Sequence, residues 1–207
     1  MHVLAVSAFL FLLACLFGSF EIEAEGKYGW GEKMPTWYRV NGPARLYVKV
    51  TNKPLTGYHA ALFFVPIMVF FYPMIAAGRV TLAGSLAAVA TYYAWVVVWD
   101  FSWFVLNPHY GWKQFRPNSV WWFGHEPWLA GRVPMSYVSA WVTAAALAAL
   151  SGWSGGGVIH ALSRQGQQFG WYALGLVLLA TVGAPLFGRY YRRMRQHDER
   201  ELAGIYH

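Results

Sequence analysis

Five ionisable residues near the ends of apolar segments could together hold a metal ion or move protons: His59, Asp100, His109, His125 and Glu126. Imidazole nitrogens and carboxylate oxygens are ligands that Zn²⁺, Fe²⁺ and Mn²⁺ accept. All five are therefore candidate metal ligands, and Asp100 and Glu126 are also candidate catalytic acids or bases. Their spacing matches no established ligand motif, because Leu129 stands where the H-E-x-x-H pattern has its second histidine.

Asp100 is the strongest candidate because it lies within the apolar run WVVVWDFSWFVL. It is about six residues, or roughly 9 Å of helix rise, from the end of that run. A charged side chain at that depth is costly unless it faces protein or water, so it indicates a functional site. Tyr93 and Asn107 lie seven residues before and after Asp100, which places three polar groups along one seam of a helix.

Each candidate also has a simpler structural interpretation. His109 could cap the third apolar helix, and His59 could lie at the level of the lipid head groups. Glu126 could pair with Arg116 or Arg132. A single histidine at a membrane face is more often structural than a ligand. The hypothesis of a site therefore depends on several of the candidates meeting in space.

The elements that would position these residues are membrane-spanning helices. The chain has 207 residues, of which 57% are hydrophobic and 12% are charged, against about 25% charged in a typical soluble domain. A helix needs about 20 apolar residues to cross the hydrocarbon core. Five blocks approach that length: 3–20, 58–77, 80–106, 136–153 and 169–188. They predict an all-α polytopic membrane protein, with a single membrane domain (1–207) built as a bundle of five helices.

The first block could instead be a cleaved signal peptide. Such a peptide opens with Lys or Arg and ends in a small-residue cleavage site. Only His2 precedes the apolar run here, and FEIE follows it, so we expect an uncleaved first span. The single cysteine, Cys15, lies within this span, and an intrachain disulfide is therefore excluded.

Basic residues divide unequally between the two sides of the predicted bundle. By the parity of the spans, segments 21–57, 107–135 and 189–207 share one side and carry 14 of the 16 Lys and Arg residues. Loops that face the cytoplasm are enriched in these residues. The distribution predicts an external N-terminus, a cytoplasmic C-terminus and a site at the cytoplasmic end. It also accounts for the net charge of +7, so no nucleic-acid partner is inferred.

Segment 21–57 is predicted to form a small β-hairpin cap against the membrane face. FEIEAE and RLYVKVT alternate with period two, as half-buried strands do. The three glutamates of the first would face Arg45 and Lys49 across an antiparallel pair, each contact contributing roughly 0.2–1 kcal/mol. An irregular loop is the alternative, because short alternations are frequent by chance.

A stripe of small residues recurs at every fourth position of the fourth block: Ser136, Ala140, Ala144, Ala148 and Gly152. Small residues let helix backbones approach closely in lipid, where the hydrophobic effect does not drive association. Packing within the bundle is the expected use of this stripe, and contact with another subunit is the alternative. In the fifth block, Pro185 is expected to bend the helix.

The loop 107–135 is predicted to fold back over the end of the bundle. Trp121 and Trp122 would be buried in the interface, and one of its two histidines would come within reach of Asp100. A carboxylate with such a partner, directly or through a metal, tolerates its depth better than a lone one.

Two functions of different class remain open. The first is a metal-dependent membrane enzyme with a lipid-like or other apolar substrate and a Zn²⁺, Fe²⁺ or Mn²⁺ ion at the His/carboxylate site. The second is a non-catalytic accessory or scaffolding subunit of a larger membrane complex, which holds haem, a pigment or nothing. The lipid bilayer is the expected partner in both, with other membrane subunits or a homo-oligomer as further partners. A transporter is disfavoured, since one intramembrane acid and no inverted repeat leave little for a translocation path.

Overall fold

The computed structural model describes residues 2–124, 126–155, 157–199 and 202. Its α-helices are α1 (His2–Glu25), α2 (Ala44–Thr51), α3 (Gly57–Ala76), α4 (Leu82–Leu106), α5 (Met135–Gly155), α6 (Val158–Leu178) and α7 (Ala184–Gln196). A π-helical segment, Leu179–Gly183, joins α6 to α7. In this part of the chain, two small antiparallel sheets pair β1 (Tyr38–Arg39) with β2 (Leu55–Thr56) and β3 (Trp128–Leu129) with β4 (Val133–Pro134).

Within the described residues, five helical stretches are long and apolar enough to cross a membrane, which confirms the predicted all-α polytopic bundle. They are α1, α3, α4, α5 and the stretch Val158–Gln196. The fifth stretch is longer than the predicted block 169–188, because the polar sequence VIHALSRQGQQ is helical rather than a connecting loop. Pro185 lies at the start of α7, directly after the π-helical segment. Its missing N–H and its ring disturb normal i→i−4 bonding there.

The prediction that FEIEAE and RLYVKVT, within segment 21–57, form strands is wrong. α1 continues through Glu25, so FEIEAE forms the end of a helix. Extending an existing helix is easy, since nucleation is the unfavourable step. RLYVKVT is likewise helical, in α2, where its apolar and its basic residues recur four positions apart as well as alternating. The small sheet in this segment pairs other residues, those of β1 and β2.

α4 is the central helix of the bundle and packs against α1, α3 and α5. Its tryptophans Trp95, Trp99 and Trp103 are each at most 4% exposed. The indole N–H of Trp95 donates to a backbone carbonyl of α1 (2.7 Å). Gly18 of α1 lies against the backbone of Trp103, where a Cβ would approach the Trp103 nitrogen to 3.2 Å. This packing holds the end of α1 beside the half of α4 that carries Asp100.

The small-residue stripe of α5 packs within the bundle. Ala144 is fully buried. Near the end of the helix, the Ser151 hydroxyl donates to the carbonyl of Ala83 in α4 (2.8 Å). A Cβ on Gly152 would lie 2.7 Å from the carbonyl oxygen of Gly157, so the turn into α6 requires glycine at this position.

The loop after α4 folds back over the end of the bundle, but only one of its adjacent tryptophans is buried. Trp122 is 6% exposed and contacts Trp103 and Phe104. Trp121 is 44% exposed, so the prediction that it is buried is wrong. Side chains of successive residues in the 3₁₀ turn Trp121–Phe123 point in different directions, and Trp122 and Phe123 are the two that face the bundle. Gly29 lies beneath the Trp122 ring, where a Cβ would overlap it.

Candidate functional site

A cavity of about 1060 Å³ opens at the end of the bundle where α1 and α4 finish. Much of its apolar surface comes from aromatic residues: Trp30, Phe63, Trp99, Trp103 and Trp122. Its wall also carries six residues with carboxyl, amino or imidazole groups: Glu21, Glu25, Lys53, His59, Asp100 and Glu126. A concave apolar surface with a few converging polar groups is typical of a ligand site.

Glu21, Glu25 and His59 form a compact cluster in this cavity. One potential ligand atom from each lies within 4.8 Å of the others. His59 Nε2 is 3.7 Å from Glu25 Oε1, and His59 is only 2% exposed. The two glutamates are four residues apart near the end of α1, which puts them on one helix face. His59 reaches them from the first turn of α3.

The ring of His59 is held from two sides. Nδ1 lies 2.8 Å from Thr56 Oγ1, and the same oxygen accepts the backbone N–H of His59, which caps α3. Trp30 stacks on the imidazole, with ring centroids 4.0 Å apart. The φ of Trp30 is 57°, a costly conformation for a bulky residue and one that occurs mainly at constrained functional sites. With Nδ1 next to Thr56, Nε2 is the nitrogen that faces the carboxylates.

The two glutamates are oriented by hydrogen-bond donors. The Trp99 indole N–H donates to Glu21 Oε2 at 2.6 Å, and the Gly31 backbone N–H donates to Glu25 Oε1 at 2.7 Å. The glutamates are 9% and 7% exposed. An ionised carboxylate offers about four lone-pair sites, so each keeps the capacity to bind a further partner.

Asp100 lies on another wall of the cavity, where it accepts a hydrogen bond from the Tyr137 hydroxyl of α5. Tyr137 is 7% exposed and also lines the cavity. The pair joins α4 to α5 and places a carboxyl and a phenol, two groups that can exchange a proton, at the cavity surface. Asp100 therefore faces protein and the cavity rather than lipid.

Lys53 is a buried cation in the same wall, 8% exposed and outside the spanning helices. Its Nζ lies 4.7 Å from the ring centre of Trp30 and 4.1 Å from that of Phe123. Burial lowers the pKa of this ammonium group, and the carboxylates of Asp100 and Glu126 partly offset that effect. The faces of the two aromatic rings further stabilise this charge.

Glu126 lines the cavity but is engaged in capping α5. The Ser136 backbone N–H donates to its Oε2 at 2.8 Å, and the Ser136 hydroxyl donates to its Oε1 at 3.1 Å. The first N–H groups of a helix lack intrahelical partners and favour a negative charge. This contact replaces the alternative pairing with Arg116 or Arg132, which are both exposed.

His109 does not line the cavity, although it was a candidate ligand. It is exposed, and its ring lies near that of Tyr191 in α7, with centroids 6.1 Å apart. Its backbone N–H donates to the side chain of Asn107 at the end of α4. The residue that caps α4 is Asn107, and His109 follows it in the loop. His125, the remaining candidate, lies outside the described residues.

The structure thus brings three of the predicted site residues, His59, Asp100 and Glu126, to one cavity. It adds four residues that the motif search does not find: Glu21, Glu25, Lys53 and Tyr137. The two glutamates were detectable, because a four-residue spacing at the end of an apolar helix places them on one face. Lys53 and Tyr137 have no such signal, since their neighbours in space are distant in the chain.

No family model, curated protein or solved structure matches this chain. Function is therefore inferred from the cavity and its side chains.

Proposed function

We propose that the protein is a divalent-metal-dependent membrane enzyme that acts on a lipid-like substrate. The observation that carries this proposal is the buried cluster of Glu21, Glu25 and His59, with ligand atoms within 4.8 Å of one another inside a cavity of about 1060 Å³. Two carboxylates and one imidazole suit Zn²⁺, Fe²⁺ or Mn²⁺. Three protein ligands leave a coordination position open for water or substrate.

Charge in the cavity favours a bound cation. Glu21, Glu25 and Asp100 all line it, whereas Lys53 is the one lysine or arginine in its described wall. Neighbouring carboxylates shielded from water are costly to keep ionised without a counterion. Ligand atoms at about 2.0–2.2 Å from a tetrahedral ion lie roughly 3–3.5 Å from one another. The cluster would therefore need to contract only slightly to close around a metal.

The surroundings of His59 fit those of a metal-bound histidine. A ligating histidine normally donates its second ring N–H to a neighbouring oxygen, which orients the ring. Thr56 Oγ1, at 2.8 Å from Nδ1, would accept that proton and leave the Nε2 lone pair directed towards Glu25. Thr56 is a positioning residue in this proposal, and the stacked Trp30 fixes the ring plane.

Asp100 and Tyr137 would supply acid–base catalysis. A metal ion lowers the pKa of bound water and polarises a substrate oxygen, and a nearby base can then remove a proton. Asp100 is the carboxylate with access to the cavity whose hydrogen-bond partner, the Tyr137 hydroxyl, can itself exchange a proton. Glu126 instead stabilises the start of α5 in this proposal.

The site would lie at the cytoplasmic end of the bundle. Segments 21–57 and 107–135 fold at this end, and together with 189–207 they carry 14 of the 16 Lys and Arg residues. The positive-inside rule places such segments in the cytoplasm and the N-terminus outside.

Metal binding to the purified full-length protein is the direct test. After chelation and reloading, we expect about one divalent ion per chain by elemental analysis, with roughly tenfold or more weaker binding in Glu25→Gln and His59→Gln. Glu23→Gln is the matched control, because Glu23 is exposed on the same helix and pairs with Arg195 at 3.2 Å. A wild type that takes up no ion, or an equal loss in Glu23→Gln, contradicts the proposal. Co-purification with haem or pigment instead would favour the alternative of a non-catalytic subunit.

Asp100→Asn tests the catalytic role. Asparagine keeps the shape of the side chain and is cheaper to bury, so membrane insertion and metal content should be unchanged. Conversion of lipids in a native membrane extract, followed by mass spectrometry, should fall by roughly 10²–10⁴-fold. Full conversion by this variant contradicts the role of Asp100 as a base.

A further inference from the structure

We infer that Lys53 binds an anionic head group, such as a phosphate, and that the ligand of the cavity is an amphiphile with that head and an apolar chain. The inference deepens the proposed function and rests on it for the reaction. Binding of the head group requires no reaction, so the two can be tested separately.

The first observation is that the ammonium group of Lys53 has no charged partner among the described residues. Lys53 is 8% exposed and lines the cavity, and its Nζ makes neither a hydrogen bond nor an ion pair within the part of the chain that the structure describes. Lysine is almost never buried unless it is paired. The ammonium group lies over the ring faces of Trp30 and Phe123. These contacts leave its three N–H donors available for an anion.

The second observation is the position of Lys53 relative to the candidate metal ligands. Trp30 contacts both groups: its ring lies 4.0 Å from that of His59 and 4.7 Å from Lys53 Nζ. The amine and the metal cluster are therefore in the same part of the cavity. A head group with several oxygens could reach both cations, as phosphate oxygens commonly do in metal sites.

The apolar chain is inferred from the mouth of the cavity. Nine of the described lining residues are also exposed and mark its opening: Pro43, Leu46, Val50, Asn52, Tyr93, Pro127, Met135, Ser139 and Thr143. Six of them have apolar or aromatic side chains, with Leu46 (70%) and Val50 (74%) the most exposed of these, and Asn52, Ser139 and Thr143 are polar. Tyr93 and Met135 belong to spanning helices, so the opening faces the side of the bundle that lipid covers.

The carboxylates of the cavity are compatible with an anionic head group. Glu21 and Glu25 would be neutralised by a divalent ion, and Glu126 by the start of α5. Asp100 then remains as the main acidic group that attracts Lys53, and no ion pair joins them within the described residues. Without a metal, the same carboxylates would favour a cationic head group, and this is the outcome that the experiment must exclude.

The experiment uses the full-length protein in uncharged maltoside micelles, with and without added Mn²⁺. Three probes share one alkyl chain, brominated near its end, and carry a phosphate, a maltoside or a trimethylammonium head. Bromine quenches indole fluorescence on contact, and four tryptophans line the cavity. We expect the phosphate probe to bind at least tenfold more tightly than the maltoside probe, a difference of about 1.4 kcal/mol.

Lys53→Met should abolish this preference for phosphate. Methionine keeps an apolar stem between the two rings and removes the charge. Lys49→Met is the matched control, since Lys49 is exposed on α2, and it should bind all three probes as the wild type does. Lys53→Arg, which keeps the charge, should retain part of the preference, and it supplies the comparison if Lys53→Met does not fold.

Each result decides between specific outcomes. With Mn²⁺ bound, equal binding of the phosphate and maltoside probes by the wild type overturns the inference, and so does tighter binding of the trimethylammonium probe. If inorganic phosphate displaces the alkyl phosphate at equal concentration, the site binds the free anion, and the inference that its ligand is an amphiphile is overturned. A preference for phosphate that depends on Lys53 in protein that binds no metal would support this inference and contradict the proposed metal site.

Discussion

The two ends of the bundle are built from different residues. At the end where α1 and α4 finish, long connecting segments fold over a cavity of about 1060 Å³ with charged and aromatic walls. At the other end, a smaller cavity of about 350 Å³ is lined mainly by glycine, alanine and serine, with His160, Arg164, Gln165 and Gln168 at one side. No carboxylate is among the described residues that line it.

The difference follows from how each end is closed. The short connections at the second end bring helix backbones into direct contact, as at Gly152, and leave little space for side chains. The long segments at the first end let side chains from distant parts of the chain meet, such as Trp99 with Glu21 and Tyr137 with Asp100. Long connections between rigid elements commonly carry binding and catalysis.

The largest expected effect is a difference in chemical labelling between the two ends of the bundle, because the ends are proposed to lie on opposite sides of the membrane. In a Cys15→Ala background, Lys49→Cys reports the cavity end and Arg79→Cys reports the other end, and both positions are exposed. On intact cells, an impermeant maleimide should label Arg79→Cys and leave Lys49→Cys unlabelled, because the basic segments are retained in the cytoplasm. Labelling of Lys49→Cys alone would invert the proposed orientation.

Among substitutions that add one methyl group at the cavity end, Gly29→Ala should be the most destabilising. The added Cβ would overlap the Trp122 ring, which is packed among other buried aromatic side chains. We expect a loss of about 3 kcal/mol, seen as a thermal midpoint in detergent lowered by roughly 6–12 °C. Gly166→Ala is the control, since nothing lies within 4 Å of the added Cβ. An unchanged midpoint in Gly29→Ala would show that Trp122 is free to move.

Ala144→Leu tests the close helix contact in the middle of the bundle. Ala144 is fully buried and the adjacent Ala145 is exposed, so Ala145→Leu is a control of identical chemistry. Overpacking should cost Ala144→Leu about 2 kcal/mol, or roughly 4–8 °C in the thermal midpoint. Equal midpoints for the two variants would mean that the stripe faces lipid rather than α4.

The smallest expected effect is the change of stability with alkaline pH that is due to Lys53. Burial places its folded-state pKa below the usual 10.5, so between these values the unfolded chain binds more protons than the folded one. Stability therefore rises with pH through that window. The thermal midpoint of the wild type should increase with pH relative to that of Lys53→Met, while Lys49→Met follows the wild type. A difference in thermal midpoint between the wild type and Lys53→Met that does not change with pH would show that Lys53 keeps an ordinary pKa.

The bundle could be predicted from the sequence because apolar length alone identifies a spanning helix, and Asp100 because a carboxylate in such a run is conspicuous. Glu21 and Glu25 were not predicted because EIEAE satisfies a strand period and a helix period equally over so few residues. What decides between them is the preceding helix, which simply continues.

The position of Lys53 could not be predicted for another reason. A lysine in a polar connecting segment is normally solvated. Its burial depends on Trp30 and Phe123, which come from different connecting segments. Contacts of this kind depend on how long loops fold, and no local spacing in the sequence encodes them.

The length of the final helical stretch bears on where the cavity of the proposed enzyme would lie relative to the bilayer. Val158–Gln196 has 39 residues, or roughly 58 Å of helix, against a hydrocarbon thickness of about 30 Å. It is therefore longer than the hydrocarbon layer is thick, and Arg195 near its end pairs with Glu23 at 3.2 Å. In the proposed orientation that end lies outside the hydrocarbon, which would put Glu23 and its neighbours on α1 near the level of the lipid phosphates. A lipid substrate of the proposed enzyme would then react without being lifted out of its leaflet.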